Sequence, residues 1–255
     1  MVIDHQPTIF NKADVRVAAS SIEDGVMKFD AGSTSEQVVS NRQTFLQANG
    51  MSIESTTLLR TVYADDVVYD RIVDVDKLDL GKGMLAADTA APSDALFTAL
   101  PGQALFLPIA DCGGVVLYDS KRRVLGLVHL GRHATLDDLA LKSVEHMIEK
   151  YGTDPADIYA WISPAISGKS YWLHTFDRAH VTEWQPHIRE ENNGWFVDLQ
   201  GYNVDRFIEA GIPEGYIERS PVDVAKDGHY PSHYAATTRG EDGKSGRFAV
   251  AACMS

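Results

Sequence analysis

Three apolar segments of strand length follow one another in the middle of the chain, and they constrain its fold more than any other feature. They are residues 104–110 (ALFLPIA), 115–119 (VVLYD) and 124–130 (VLGLVHL). Pro108 marks an edge or an irregularity in the first, and Gly113-Gly114 separates the first from the second. The polar stretch Ser120-Lys121-Arg122-Arg123 reads as a hairpin turn between the second and third. If that hairpin pairs Asp119 with Val124, Gly114 stands opposite His129 and Val115 opposite Val128. Cys112 then lies just beyond the paired region, on the same side as His129. Cross-strand neighbours are ~5 Å apart, so this thiol and this imidazole can meet at one end of the sheet. The Gly-Gly step removes side chains that would block a ligand there.

The flanking sequence supplies helices and further strands. Residues 34–49 read as a helix stopped by Asn49-Gly50, with Val38, Val39, Phe45 and Leu46 at partial helical spacing. Residues 136–151 give the clearest helix, with Leu136, Leu139, Ala140, Val144, Met147, Ile148 and Tyr151 on one face. Thr135 is its expected N-cap, Asp137 and Asp138 suit its positive end, and Gly152 closes it. Residues 174–187 are a weaker helix candidate, and 203–210 a short helix closed by Gly211. Residues 58–75 are rich in β-formers, 81–93 read as a loop, and 158–163 and 247–253 as strands. Strands and helices alternate irregularly. A mixed α/β fold is therefore expected, with central mixed β-sheets flanked by helices, rather than a purely parallel doubly wound sheet. No internal repeat or long linker divides the chain, so one domain over residues 1–255 is expected.

Composition excludes several classes. A net charge of −13 over 255 residues argues against a general nucleic-acid binder, which needs a basic surface. It leaves room for a small anionic substrate held by a few local cations. Two cysteines, Cys112 and Cys253, make no disulfide framework. Residues 1–20 lack an apolar signal core, and no run approaches ~18 apolar residues, so neither export nor a membrane span is expected. The expected compartment is reducing and cytoplasmic.

A thiol and an imidazole within reach of each other serve two chemistries. They can be two of the three protein ligands of a catalytic zinc. Alternatively, His129 can activate Cys112 as a nucleophile. A third possibility is bland: a buried cysteine and a strand-end histidine. Asp111 adjoins the cysteine, either as a base or orienting group for a substrate, or as a cap on the Gly-Gly turn. Spacing alone leaves these open.

Several short motifs resemble one family in order along the chain. Ser93-Asp94-Ala95-Leu96-Phe97-Thr98, Pro101-Gly102 and Ala110-Asp111-Cys112 are similar to the stretch "TDALVT–PG–ADC" of the bacterial laccase-domain, or polyphenol oxidase, family. Val128-His129-Leu130-Gly131 resembles the start of its "HAGWRG". Ile162 to Ile166 and Tyr171 resemble "GPAI…Y". Ser232-His233-Tyr234 and Ser245-Gly246-Arg247-Phe248 resemble "SYRRD…TGRF", and Val38 to Arg42 its "V–NR" helix.

The resemblance implies a mixed α/β fold with a two-sheet core, shared distantly with the catalytic domain of cytotoxic necrotizing factors. It implies phosphorolysis of purine nucleosides, with adenosine deamination, at a zinc held by two histidines and a cysteine. Two ligands fall on Cys112 and His129, and Tyr63 stands where the third ligand, a histidine, is expected. Phenol is a poor neutral-pH substitute for imidazole on zinc. His133, His229 and His233 are the candidates to complete the set. Arg132 and His133 replace the Trp and Arg of "HAGWRG", Val222-Asp223-Val224 replaces its "CT", and its "R–GG" is reduced to Asp24-Gly25. Arg132 or Arg42 is then expected to hold phosphate. The leading expectation is a zinc-dependent purine nucleoside phosphorylase. The alternatives are a metal-free cysteine hydrolase using Cys112 and His129, and a non-catalytic paralogue. Copper-dependent polyphenol oxidation ranks below all three, since the sequence lacks His-x-His pairs.

Overall fold

The computed structural model describes residues 6–11, 13–29, 32–63, 67–241 and 246–255. Its strands are β1 (Val15–Ala19), β2 (Thr56–Leu58), β3 (Ile72–Asp74), β4 (Ala95–Thr98), β5 (Ala104–Ile109), β6 (Gly113–Asp119) and β7 (Val124–Leu130). They continue as β8 (Ile158–Ile162), β9 (Trp172–Leu173), β10 (Ile188–Glu191), β11 (Gly194–Val197), β12 (Ile217–Arg219) and β13 (Phe248–Met254). The helices are α1 (Ser35–Ala48), α2 (Arg132–Leu136), α3 (Leu139–Tyr151), α4 (Leu199–Glu209) and α5 (His233–Thr238). Three sheets result: β1-β13-β5-β2, β12-β8-β6-β7-β4-β3 and the small β10-β11-β9. Parallel and antiparallel pairs mix in both large sheets, as expected of a mixed α/β fold.

The two large sheets pack face to face, and each carries helices on its outer face. Leu105, Leu107, Val250 and Ala252 of the four-stranded sheet meet Leu96, Val116, Leu125, Leu127 and Trp161 of the six-stranded sheet in one core. The alternate residues face outward. Phe106 and Ala251 bury against Phe45 and Leu46 of α1, while Val115, Leu117 and Val128 bury against Leu139, Val144 and Met147 of α3. Strands covered on both faces need apolar residues at every position, which is why these segments read as continuous runs rather than alternating ones.

The hairpin forms in the expected register, with Asp119 opposite Val124, Gly114 opposite His129 and Val115 opposite Val128. Pro108 sits in an interior strand. Phe106 presents its carbonyl to the β2 side, where Leu59 N–H donates to it at 2.8 Å. Pro108, two residues on, turns its ring nitrogen the same way, beyond the end of β2 opposite Phe106. The missing N–H therefore breaks no ladder bond.

Three helix expectations change. The segment 136–151 is interrupted: α2 ends at Leu136, Asp138 takes a left-handed φ of 55°, and α3 starts at Leu139. Thr135 is not a cap but a buried residue inside α2, accepting from Asn203 Nδ2 at 3.0 Å. Gly152 does close the helix, at φ 67°. Residues 174–187 form only a 3-10 turn over Thr182–His187, with Pro186 inside it. The short helix at 203–210 begins earlier, at Leu199, because Asp198 caps it.

Candidate active site

The β6–β7 hairpin opens a cavity where the two large sheets end together. His129 is the next-to-last residue of β7, and Cys112 directly precedes β6. Both line a cavity of about 580 Å³ that also takes in Pro108 and Ile109 from the end of β5. Their side chains converge on Gly131. A Cβ there would stand 2.9 Å from Cys112 Sγ and 3.2 Å from His129 Cε1. Glycine at 131 is what gives the thiol and the imidazole room to face the same space.

Tyr63 closes this group from a loop. Its residue surface is 56 % exposed, but its hydroxyl turns inward, 3.4 Å from His129 Nε2. The two rings meet edge-on at 84°. Burial drives the electrostatics. His129, 3 % exposed, is pushed down to about 4 by desolvation, so its ring is neutral at pH 7. Its Nδ1 is buried without a hydrogen-bond partner among the described residues. The Cys112 thiol is pushed up to about 12, first by desolvation and then by the charge of Asp111, against the pull of Arg247 and a hydrogen bond from Tyr63. The Tyr63 phenol is held above its ordinary value, first by desolvation and then by Cys112.

An ion pair between the half-buried Arg71 and the buried Asp94 holds the Tyr63 loop. Asp94 is fully buried and accepts from Arg71 Nε at 2.7 Å and Nη2 at 2.9 Å. Arg71 Nη2 also donates to the carbonyl of Val62 at 3.1 Å, and the Asp94 carbonyl accepts His129 N–H at 2.8 Å. Asp94 thus links the strand end of His129, through its backbone carbonyl, to the residue before Tyr63, through its carboxylate and Arg71. Reading the sequence missed this pair. Its signal was a lone carboxylate opening a buried strand, which must find a cation.

The other expected residues divide. Asp111, at φ 71°, lines the cavity, but its carboxylate caps the start of α5 rather than the Gly-Gly turn. It accepts from Ser232 Oγ at 2.5 Å and from Tyr234 N–H at 2.8 Å. Arg132, the first residue of α2, lines the cavity. Arg42 does not. It is 1 % exposed on α1, and its guanidinium donates to the carbonyls of Met27, Gly83 and Met84, so it is spent on the fold. His133 and His233 line the cavity, although β7 stops at Leu130 and His133 arrives on α2, stacked on Tyr69. His229 lies outside, beside Asp227. Lys28 and Arg247 are lining cations that the sequence reading did not assign, and Ser245 of the last motif falls outside the described residues.

These residues do not complete a three-ligand zinc site. Cys112 and His129 are suitable donors, but the third is a phenol whose surroundings keep it protonated. Among the described residues no group of three His, Cys, Asp or Glu side chains could hold a metal ion.

The model of the family described as multi-copper polyphenol oxidoreductase laccase matches residues 13–255. The chain belongs to this family. Among relatives of this laccase-domain chain, purine nucleoside phosphorylase YlmD of Bacillus subtilis is 35 % identical over 118 residues, 46 % of this chain and 42 % of that one. Purine nucleoside phosphorylase YlmD of Geobacillus stearothermophilus is 29 % identical over 205 residues, 75 % of this chain and 70 % of that one. The chain spans about half the length of the first curated relatives it matches. In three dimensions it is similar to the Bacillus licheniformis hypothetical protein YfiH, with a TM-score of 0.83 at 25 % identity, covering 96 % of this chain and 94 % of that one. The solved YlmD of Geobacillus stearothermophilus shares the fold, with a TM-score of 0.82 at 24 % identity, covering 97 % and 94 %. Among the described residues no helix is long and apolar enough to cross a membrane.

Proposed function

We propose that this laccase-domain chain cleaves purine nucleosides with phosphate at the Cys112–His129 cavity. The observation that carries the proposal is the convergence of a neutral histidine and a protonated thiol in a space lined by Lys28, Arg132 and Arg247 and by the rings of Tyr69, Tyr171 and Tyr234. Aromatic walls suit a purine, and arginine and lysine suit phosphate. The names of the relatives point the same way.

In this reaction a phosphate oxygen bonds to the anomeric carbon of the ribose, and the glycosidic C–N bond breaks. Its electron pair leaves on the purine. The cations hold phosphate for that attack. Neutral His129 presents Nε2 as donor or acceptor according to its tautomer, and protonated Tyr63 and Cys112 offer donors to a bound nucleoside. Deamination of adenosine at the same cavity is a narrower part of the proposal. The two free cysteines suit a cytoplasmic setting. A cysteine hydrolase fits less well, because it needs a thiolate and burial pushes this thiol up to about 12.

The test is incubation of the full chain with inosine or adenosine and phosphate, followed by chromatography of the free base. Release that needs phosphate, and that is lost in His129→Ala, supports the proposal. No release, with and without added zinc, overturns it. The expected zinc cofactor is tested separately by elemental analysis of untagged protein. About one zinc per chain would support it, and none after loading would sink it.

A further inference from the structure

A second cavity, of about 570 Å³, lies on the other side of Ile166, which lines both. Gln200, in the first turn of α4, forms part of its wall. This side chain is 4 % exposed, and neither its Oε1 nor its Nε2 has a hydrogen-bond partner among the described residues. Leaving a buried polar group unpaired costs ~1–3 kcal/mol, so an amide kept this way calls for a reason. A Cβ on Gly113 would stand 2.6 Å from Gln200 Oε1, so the glycine beside Cys112 is what admits the amide.

The same cavity gathers positive charge in a chain of net charge −13. Lys169, Arg189, Arg219 and Lys226 line it against two carboxylates, Asp198 and Asp223. Both carboxylates are engaged. Asp223 accepts from Ser167 Oγ at 2.8 Å and Ser170 Oγ at 2.6 Å. Asp198 Oδ1 accepts from Gly201 N–H at 3.0 Å, and its Oδ2 stands 3.4 Å from Arg219. Neither Lys169 nor Lys226 is held in an ion pair among the described residues.

We propose that this cavity is a second ligand site, for a small phosphorylated molecule that carries a hydroxyl group. The phosphate would face Lys169, Arg219 and Lys226, and the hydroxyl would pair with the Gln200 amide. A hydroxyl both donates and accepts, which matches the two unpaired atoms of a carboxamide. Lysine and arginine supply charge-assisted bonds to phosphate. The site is separate from Cys112 and His129 and does not require the nucleoside reaction.

Isothermal titration calorimetry of the full chain with ribose 5-phosphate tests this, with inorganic phosphate and ribose as comparison arms. The expected result is binding of ribose 5-phosphate that is tighter than either arm. It should weaken about tenfold or more in the Lys169→Gln/Lys226→Gln variant, whose changes are on exposed side chains. Gln200→Leu should lower the affinity to that of inorganic phosphate, and Arg132→Gln should leave it in place. No binding to the full chain overturns the proposal. So does binding that survives the double lysine variant, or that is lost in Arg132→Gln, since either places the ligand elsewhere. Calorimetry does not depend on turnover, so failure here is distinct from failure of the phosphorolysis assay.

Discussion

The two cavities are nearly equal in volume and share Ile166, yet they bury different kinds of polar group. In the first it is a titratable ring at the end of a strand covered on both faces. In the second it is an amide that does not titrate, set on the first turn of a helix and ringed by exposed cations. The strand end has little freedom to relax, so its groups feel the full cost of desolvation. The helix start and its loops present charges that reach into water. Proton-sensitive chemistry is therefore proposed for the first cavity and charge-based binding for the second.

The largest expected contrast is catalytic. His129→Ala should cut phosphate-dependent base release by at least about 100-fold, read by chromatography. A loss under tenfold would remove the first cavity from the chemistry. Cys112 should alkylate with iodoacetamide at neutral pH at least about 100-fold more slowly than an ordinary exposed thiol, because burial pushes it up to about 12. Fast, selective labelling seen by mass spectrometry would instead favour the cysteine hydrolase.

Stability effects come next. Asp94→Asn should lower the unfolding free energy in urea by about 2–3 kcal/mol, since it weakens the charge-assisted bonds that the half-buried Arg71 makes to a buried carboxylate. An unchanged midpoint would mean that the pair does not hold the Tyr63 loop. His129 should make stability depend on pH. Its ring titrates near 4 when folded and near 6.5 when free, so between these values only the unfolded chain takes up the proton. The contribution is present above pH 6.5 and is lost as pH falls to 4, by up to about 3 kcal/mol. Urea melts at pH 7.5, 5.5 and 4 should show it, and His129→Phe should flatten it. The smallest effect is Gly131→Ala, about 1–2 kcal/mol, because the new methyl must displace the Cys112 sulfur. It should lower activity as well, and an active, equally stable variant would show that the thiol's place is unimportant.

The hairpin was legible in the sequence because its turn and its partner strands are local, and register follows from one pairing. Local register also brought Cys112 toward His129. Tyr63 entered only by resemblance, since sixty-odd residues separate it from His129. Lys28 and Arg247 reach the cavity from near opposite ends of the chain, and no pattern within either segment signals that. The break between α2 and α3 went unread because the run of apolar residues continues through it, while Asp138 alone reverses its backbone. Arg42 was misplaced by its charge. Yet it lies on the same helical stripe as Val38, Phe45 and Leu46, all buried, and that spacing marks an inward position.

Covering the central strands on both faces also divides the labour of variation. A polar replacement at Val116 or Val115 would harm one packed layer or the other, so the frame tolerates little change. The loop residues that rim the cavity carry no such burden. A tyrosine at position 63 can stand where relatives are expected to carry a histidine without disturbing a strand. The scaffold is thus free to be inherited intact while the chemistry at its open end is rewritten one side chain at a time.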